Sequence, residues 1–176
     1  MIAINNPLEV GRTSNVDIAT QYGLAPVYSP ECTRLILGSF PSVMSRNYFY
    51  YGNPRNRLWS VLARITGDTV PKDPDGKREF LLAHKIAMWD IVSYCDIRGS
   101  GDADIKITSC DQINDVPALI RGGNIKRILC NGAKSYDLFM RYHGDKIDIE
   151  TCLLPSTSPA NFKFDIDKWR DALADN

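Results

Sequence analysis

A chain of 176 residues with 44% hydrophobic and 24% charged residues can bury one core and is short for two domains, so a single domain over residues 1–176 is expected. Its 21 basic residues balance 21 acidic ones, which excludes a bulk electrostatic attraction to nucleic acid and leaves any such contact to a local surface. The five cysteines, Cys32, Cys95, Cys110, Cys130 and Cys152, are odd in number and form no Cys-x-x-Cys pair, which argues against a disulfide framework, a zinc or iron–sulfur site and a redox dithiol.

In chain order, residues 1–30 read as an irregular lead-in carrying Gly11, Gly23, Pro26 and Pro30. They lack the basic and apolar segments of a leader, and nowhere do about 18 apolar residues run together, so a soluble cytoplasmic protein is expected. Residues 34–38 form a short apolar run stopped by glycine, the pattern of a strand buried on both faces. Leu58, Trp59, Val61, Leu62 and Ile65 then fall at helical spacing, and Gly67 closes that helix. A polar loop at 71–76 precedes a helix at 77–84 and a second strand at 86–92, and the polar stretch 98–112 reads as a loop. Asn114 or Asp115 can cap a short helix with Pro117 in its first turn and Gly122-Gly123 as its stop. A strand at 127–130, a helix at 135–142, a strand at 149–154 and a helix at 165–174 complete the chain. The alternation predicts an α/β fold with a mainly parallel four-stranded sheet covered by helices, its ligand crevice beyond the carboxyl ends of the strands.

Two polar signatures occupy such ends. The first is Gly38-Ser39-Phe40-Pro41-Ser42 with Tyr50-Tyr51-Gly52-Asn53-Pro54-Arg55-Asn56; the second is Leu154-Pro155-Ser156-Thr157-Ser158-Pro159-Ala160-Asn161. Asn53 and Asn56 can cap the helix that follows, or hold a water or substrate group; an amide is no strong base, so that second role is positioning. Phe40, Tyr48, Phe49, Tyr50 and Tyr51 can pack the core or stack on a planar base, and Arg46, Arg55 and Arg57 among them can face solvent or a phosphate. The segment 155–161 is either a rigid connector or a loop that grips a phosphate backbone through Ser156, Thr157, Ser158 and main-chain N–H groups. Asp90 ends a strand where its carboxylate can accept a ring N–H, or is simply a strand-end aspartate. His84 and His143 read as helix-end or surface residues, and Asp102 and Asp104 as turn formers.

These motifs resemble the hypoxanthine-DNA (deoxyinosine) glycosylases of the uracil-DNA glycosylase superfamily. The likeness extends in order through residues 86–90, Gly99-Ser100-x-Asp102, Asn114-Asp115 and Cys130-Asn131-Gly132, spanning about residues 26–169. It implies a three-layer α/β/α sandwich, a base flipped out of double- or single-stranded DNA, and hydrolysis of its N-glycosidic bond by water, with no metal or cofactor, in a monomer away from membranes. Phe40 stands where many superfamily members carry an acidic or amide residue, and Leu154 where many carry His or Asn, so the usual ionisable helpers are missing. The resemblance shifts the catalytic role to Asn56, with Asn53 as the companion candidate. It puts Phe40, Tyr51 and Asp90 around the base, and Ser42, Arg55, Pro155, Ser156, Thr157, Ser158 and Asn161 against DNA.

Hypoxanthine carries an N1–H donor where adenine carries an acceptor, so a site built for one leaves groups unpaired with the other. Uracil is the alternative substrate. A binding module that has lost turnover and a hydrolase of free nucleosides are rival functions. A lyase is disfavoured, because no lysine occurs in 38–56 or 154–161.

Overall fold

The computed structural model describes residues 19–97 and 106–174. In chain order these form β1 (Ala19–Tyr22), β2 (Arg34–Gly38), α1 (Val43–Asn47), α2 (Leu58–Thr66), α3 (Pro74–Ala83), β3 (Ile86–Asp90) and β4 (Tyr94–Ile97). A single 3-10 turn at Cys110–Gln112 leads to α4 (Val116–Ile120), β5 (Arg127–Asn131), α5 (Ala133–His143), β6 (Glu150–Leu154) and α6 (Ile166–Leu173). The main sheet has the order β3-β2-β5-β6 with every pair parallel.

Side chains alternate across each strand, and this period of two builds the layers. Ile36, Met88 and Leu129 enter one core with Leu58, Leu62, Leu81 and Trp169 of α2, α3 and α6. Leu35, Leu37, Ala87 and Ile128 enter the other with Val116, Leu138 and Phe139 of α4 and α5. The three-layer α/β/α expectation is therefore met. At the lower edge, the buried Arg34 donates to the carbonyls of Ala172 (3.3 Å) and Ala174 (2.5 Å), and Arg127 donates to Ala172 (3.0 Å). Two guanidinium groups thus satisfy the last carbonyls of α6.

The structure departs from the sequence reading in several places. β1 and β4 pair antiparallel as a separate ribbon, from Ala19 opposite Ile97 to Tyr22 opposite Tyr94, where an irregular lead-in and no strand were expected. α1 lies inside the first signature, with Ser42 as its N-cap, its side chain accepting from Ser45 N. α3 starts at Pro74 rather than 77, because Asp73 caps it by accepting from Gly76 N at 2.8 Å. Asp115, the alternative to Asn114, caps α4 by accepting from Ala118 N at 3.0 Å. Gly99, Ser100, Asp102 and Asp104 lie outside the described residues.

His143 ends a helix as expected but is buried, not superficial. Its Nε2 hydrogen-bonds the Asn114 carbonyl at 3.0 Å, and Asn114 Nδ2 donates to the Asp90 carbonyl at 2.8 Å. Burial first of all, and Lys146 secondarily, push the imidazole below its usual range, against the Asn114 carbonyl and the carboxylates of Asp115 and Asp145. A depressed histidine binds its proton more weakly folded than unfolded, so stability falls as pH drops below about 6.5. Urea melts from pH 7 to pH 5 are expected to show a shallower loss in His143→Gln than in the wild type.

Candidate active site

β2 hands the chain to one side of the sheet and β5 to the other, so their carboxyl ends diverge and open a crevice at the switch point. The register sets Gly38 opposite Asp90 and Asn131 opposite Leu154, and both signatures spring from this row. They meet around a cleft of about 430 Å³. Phe40, Ser42, Tyr51, Asn53 and Asn56 line it from the first signature, Ser156, Thr157 and Ser158 from the second, and Asp90 and Asn131 from the strand ends.

Both candidate amides are held by the turn that carries them. Asn53 Oδ1 accepts from Arg55 N and Asn56 Oδ1 from Leu58 N, each at 3.0 Å, so each closes a turn ahead of α2; only the Asn56 bond reaches a helical N–H, and the N-cap itself is Arg57, without a side-chain cap bond. A carbonyl oxygen has two lone pairs, and one such bond fixes the amide plane while leaving the second lone pair for a water or substrate. The Asn53 carbonyl also accepts from Asn56 N at 2.8 Å, locking the two residues into one turn.

Asp90 is buried at the foot of the cleft. A Cβ on Gly38 would meet its Oδ1 at 2.2 Å and the Tyr51 hydroxyl at 3.0 Å, so carboxylate and phenol converge where glycine leaves room. Tyr51 reaches this position with φ of 52°, a left-handed backbone that costs a non-glycine residue on the order of 1–3 kcal/mol. Burial first, and then the negative charge of Asp90, push the Tyr50 phenol far above its ordinary value. It stays protonated and donates to the Ala25 carbonyl at 2.9 Å.

Phe40 is nearly buried in the core layer of α4 and α5, with the Arg46 guanidinium 5.3 Å from its ring centre. Arg46 donates to the Pro41 carbonyl and Arg57 to the Ser158 carbonyl (2.9 Å), so these two arginines serve the site's own walls. Arg55 is exposed. Thr157, expected to touch phosphate, is wholly buried: Asn131 Nδ2 donates to its hydroxyl at 2.8 Å, and its N–H donates to Asn131 Oδ1 at 2.9 Å. The Pro155 carbonyl accepts from Trp169 Nε1, and Asn161 Nδ2 donates to the Ser156 carbonyl, both at 2.9 Å, so these two residues hold the loop in place. Ser156 and Ser158 line the cleft.

Sequence reasoning missed Asn131 and Arg57 as builders of the site; Phe162 stands 94% exposed just past the second signature. Asn131 carried the signal that singled out Asp90, a polar residue ending an apolar run.

No protein-family model matches the chain. A hypoxanthine DNA glycosylase of Methanosarcina barkeri is 34% identical over 143 residues, covering 79% of this chain and 87% of that protein. A second protein of that name, from Methanosarcina acetivorans, is 34% identical over 147 residues, covering 81% and 89%. The chain belongs to the hypoxanthine DNA glycosylase family. A solution NMR structure of a candidate uracil DNA glycosylase from Methanosarcina acetivorans superposes with a TM-score of 0.72 at 30% identity, covering 88% of this chain and 97% of that one. The family resemblance read from the motifs and its uracil-DNA glycosylase-like fold are both borne out.

For this family member, the crowding at Gly38 is a direct handle on the cleft. Gly38→Ala forces the buried Asp90 carboxylate aside, and overpacking of this kind costs about 1–3 kcal/mol. A lower melting temperature together with weakened turnover is the expected result; a melt superimposable on the wild type would contradict the geometry.

Proposed function

We propose that the chain hydrolyses the N-glycosidic bond of deaminated bases in DNA, hypoxanthine foremost. Two groups that the reaction requires on opposite sides of the sugar–base bond line one cleft here, and that carries the reading: Asn56, with its amide plane fixed by Leu58 N, and Asp90, convergent with Tyr51. As the C1′–N9 bond breaks, its electron pair leaves with the base and the sugar becomes oxocarbenium-like. Water then bonds to C1′, one of its protons ending on the base and the other remaining in the new C1′ hydroxyl. So electrophilic a centre needs a placed water rather than a strong base, which suits an amide. The Asp90 carboxylate accepts the N1–H of hypoxanthine, whereas the N1 lone pair of adenine would face it unpaired. Uracil presents a comparable ring N–H, and the likeness to a candidate uracil DNA glycosylase supports testing it as the second substrate.

A base inside a duplex reaches such a cleft only by leaving the stack, which costs a few kcal/mol. Phe162, 94% exposed on a loop tied down by Asn161, is suited to fill the gap as an apolar wedge. Phe162→Ala should slow base release from duplex DNA while sparing a single-stranded substrate, which has no stack to open.

The deciding assay measures alkaline-labile product from duplex and single-stranded oligonucleotides containing hypoxanthine, xanthine or uracil. Asn56→Ala and Asn56→Asp are expected to lower the single-turnover rate by roughly 100-fold, on the scale of a misplaced reacting group, with the melting temperature lowered modestly in the alanine variant, which loses the bond to Leu58 N, and little changed in the aspartate variant, which keeps an acceptor there. Asn53→Ala run alongside assigns the water to one amide or the other. A wild-type protein that binds hypoxanthine DNA yet yields no abasic product would replace this reading with that of a binding module.

A further inference from the structure

Thr157 has all of its polar groups engaged within the protein. Its N–H and hydroxyl both pair with the Asn131 carboxamide, at 2.9 and 2.8 Å, and its carbonyl accepts from Arg57 N at 3.0 Å. The Arg57 guanidinium donates to the next carbonyl, that of Ser158, at 2.9 Å. Arg57 directly follows Asn56, whose Oδ1 accepts from Leu58 N. A continuous path of short hydrogen bonds and one peptide link therefore runs from the end of β5, through the buried hub of the second signature, to the amide in the first. The fit along this path is close: Gly132, with φ of 99°, has its Cβ position only 3.0 Å from the Ser156 Cβ, so the loop lies flush on the turn between β5 and α5.

We propose that Asn131 is a positioning residue for the glycosylase reaction, acting through Thr157 and Arg57 to set the distance and angle between Asn56 and the second signature. This rests on the function proposed above. The site carries Phe40 and Leu154 where ionisable helpers could stand, so its rate depends on placement rather than on acid or base strength, and small errors of placement are correspondingly costly. A carboxamide is the side chain this junction requires. It donates to the hydroxyl and accepts from the N–H of one residue at the same time, which neither a carboxylate at fixed hydroxyl orientation nor an aliphatic side chain can do. Thr157 thereby leaves the set of DNA contacts and joins the framework.

The test separates rate from binding. Asn131→Ala and Thr157→Val are each expected to lower the single-turnover rate at saturating hypoxanthine DNA by about 10- to 100-fold, the scale of an ångström-level misplacement. The Kd for the same DNA should change by less than about threefold, a small shift on the tenfold-per-1.4 kcal/mol scale. Thr157→Ser, which keeps the hydroxyl, should recover most of the rate lost in Thr157→Val, and the double variant should be no slower than Asn131→Ala alone, since both changes cut one path. Should Asn131→Ala fail to fold, the Thr157→Val and Thr157→Ser pair, matched by melting temperature, carries the comparison. An active wild type with an Asn131→Ala rate within threefold of it would overturn the proposal. So would a Kd that rises in step with the rate loss, or a Thr157→Ser variant as slow as Thr157→Val. A wild type inactive on every lesion overturns the glycosylase reading itself, a different result.

Discussion

The parallel register of β2 between β3 and β5 is the constraint on which everything else depends. It ends the strands in one row, with Gly38 beside Asp90 and Asn131 beside Leu154, and sends the chain away from β2 and β5 in opposite directions. Because the backbone groups of these strands are satisfied by their neighbours, the row is rigid, and polar side chains projecting from it inherit that rigidity. A cleft built there needs loops only as walls. Those walls are stiffened in turn by side-chain-to-backbone bonds from Asn53, Asn56, Ser45, Asn131 and Asn161, so that asparagine carboxamides do most of this bracing.

Most of the architecture was legible in the sequence because the central strands are buried on both faces and bounded by glycine or polar turns. β2, β3 and β5 were readable for that reason, and the two signatures stood out because Gly, Pro, Ser and Asn cluster there. β1 and β4 were not legible: each has four residues, and they pair across 72 to 78 positions of chain, so neither carries a local pattern strong enough to separate from a loop. α1 was hidden for a related reason. Five residues make a single turn or so, and its stability comes from the Ser42 cap and the burial of Ser45 more than from helix propensity.

Within the site, residue identity was easier to read than residue role. Asn56, Asn53, Tyr51, Phe40 and Asp90 do line one cleft. What spacing could not reveal is which polar groups are consumed internally, since that depends on contacts between segments about 100 residues apart, such as Arg57 with Ser158. Thr157 and Ser158 are neighbours of the same chemistry and both border the cleft, yet the first is wholly buried with its groups bonded inside the protein and the second is partly exposed. A one-residue difference in direction along an irregular loop decides this, and no periodicity announces it.

Tyr51 bears a further meaning. Its left-handed backbone is a conformation that glycine adopts freely, and glycine is the very next residue, so the chain had an easy alternative one position away. Holding a tyrosine there instead sets backbone strain against the packing of its ring at a single residue. Substitution at this position by glycine would relax the main chain but remove a ring packed against the core and empty the space above Gly38, so the protein would lose stability together with one wall of its cleft. Strain in the main chain at residue 51 is thus offset by the packing of the ring it carries, and one side chain both fills the core edge and walls the cleft.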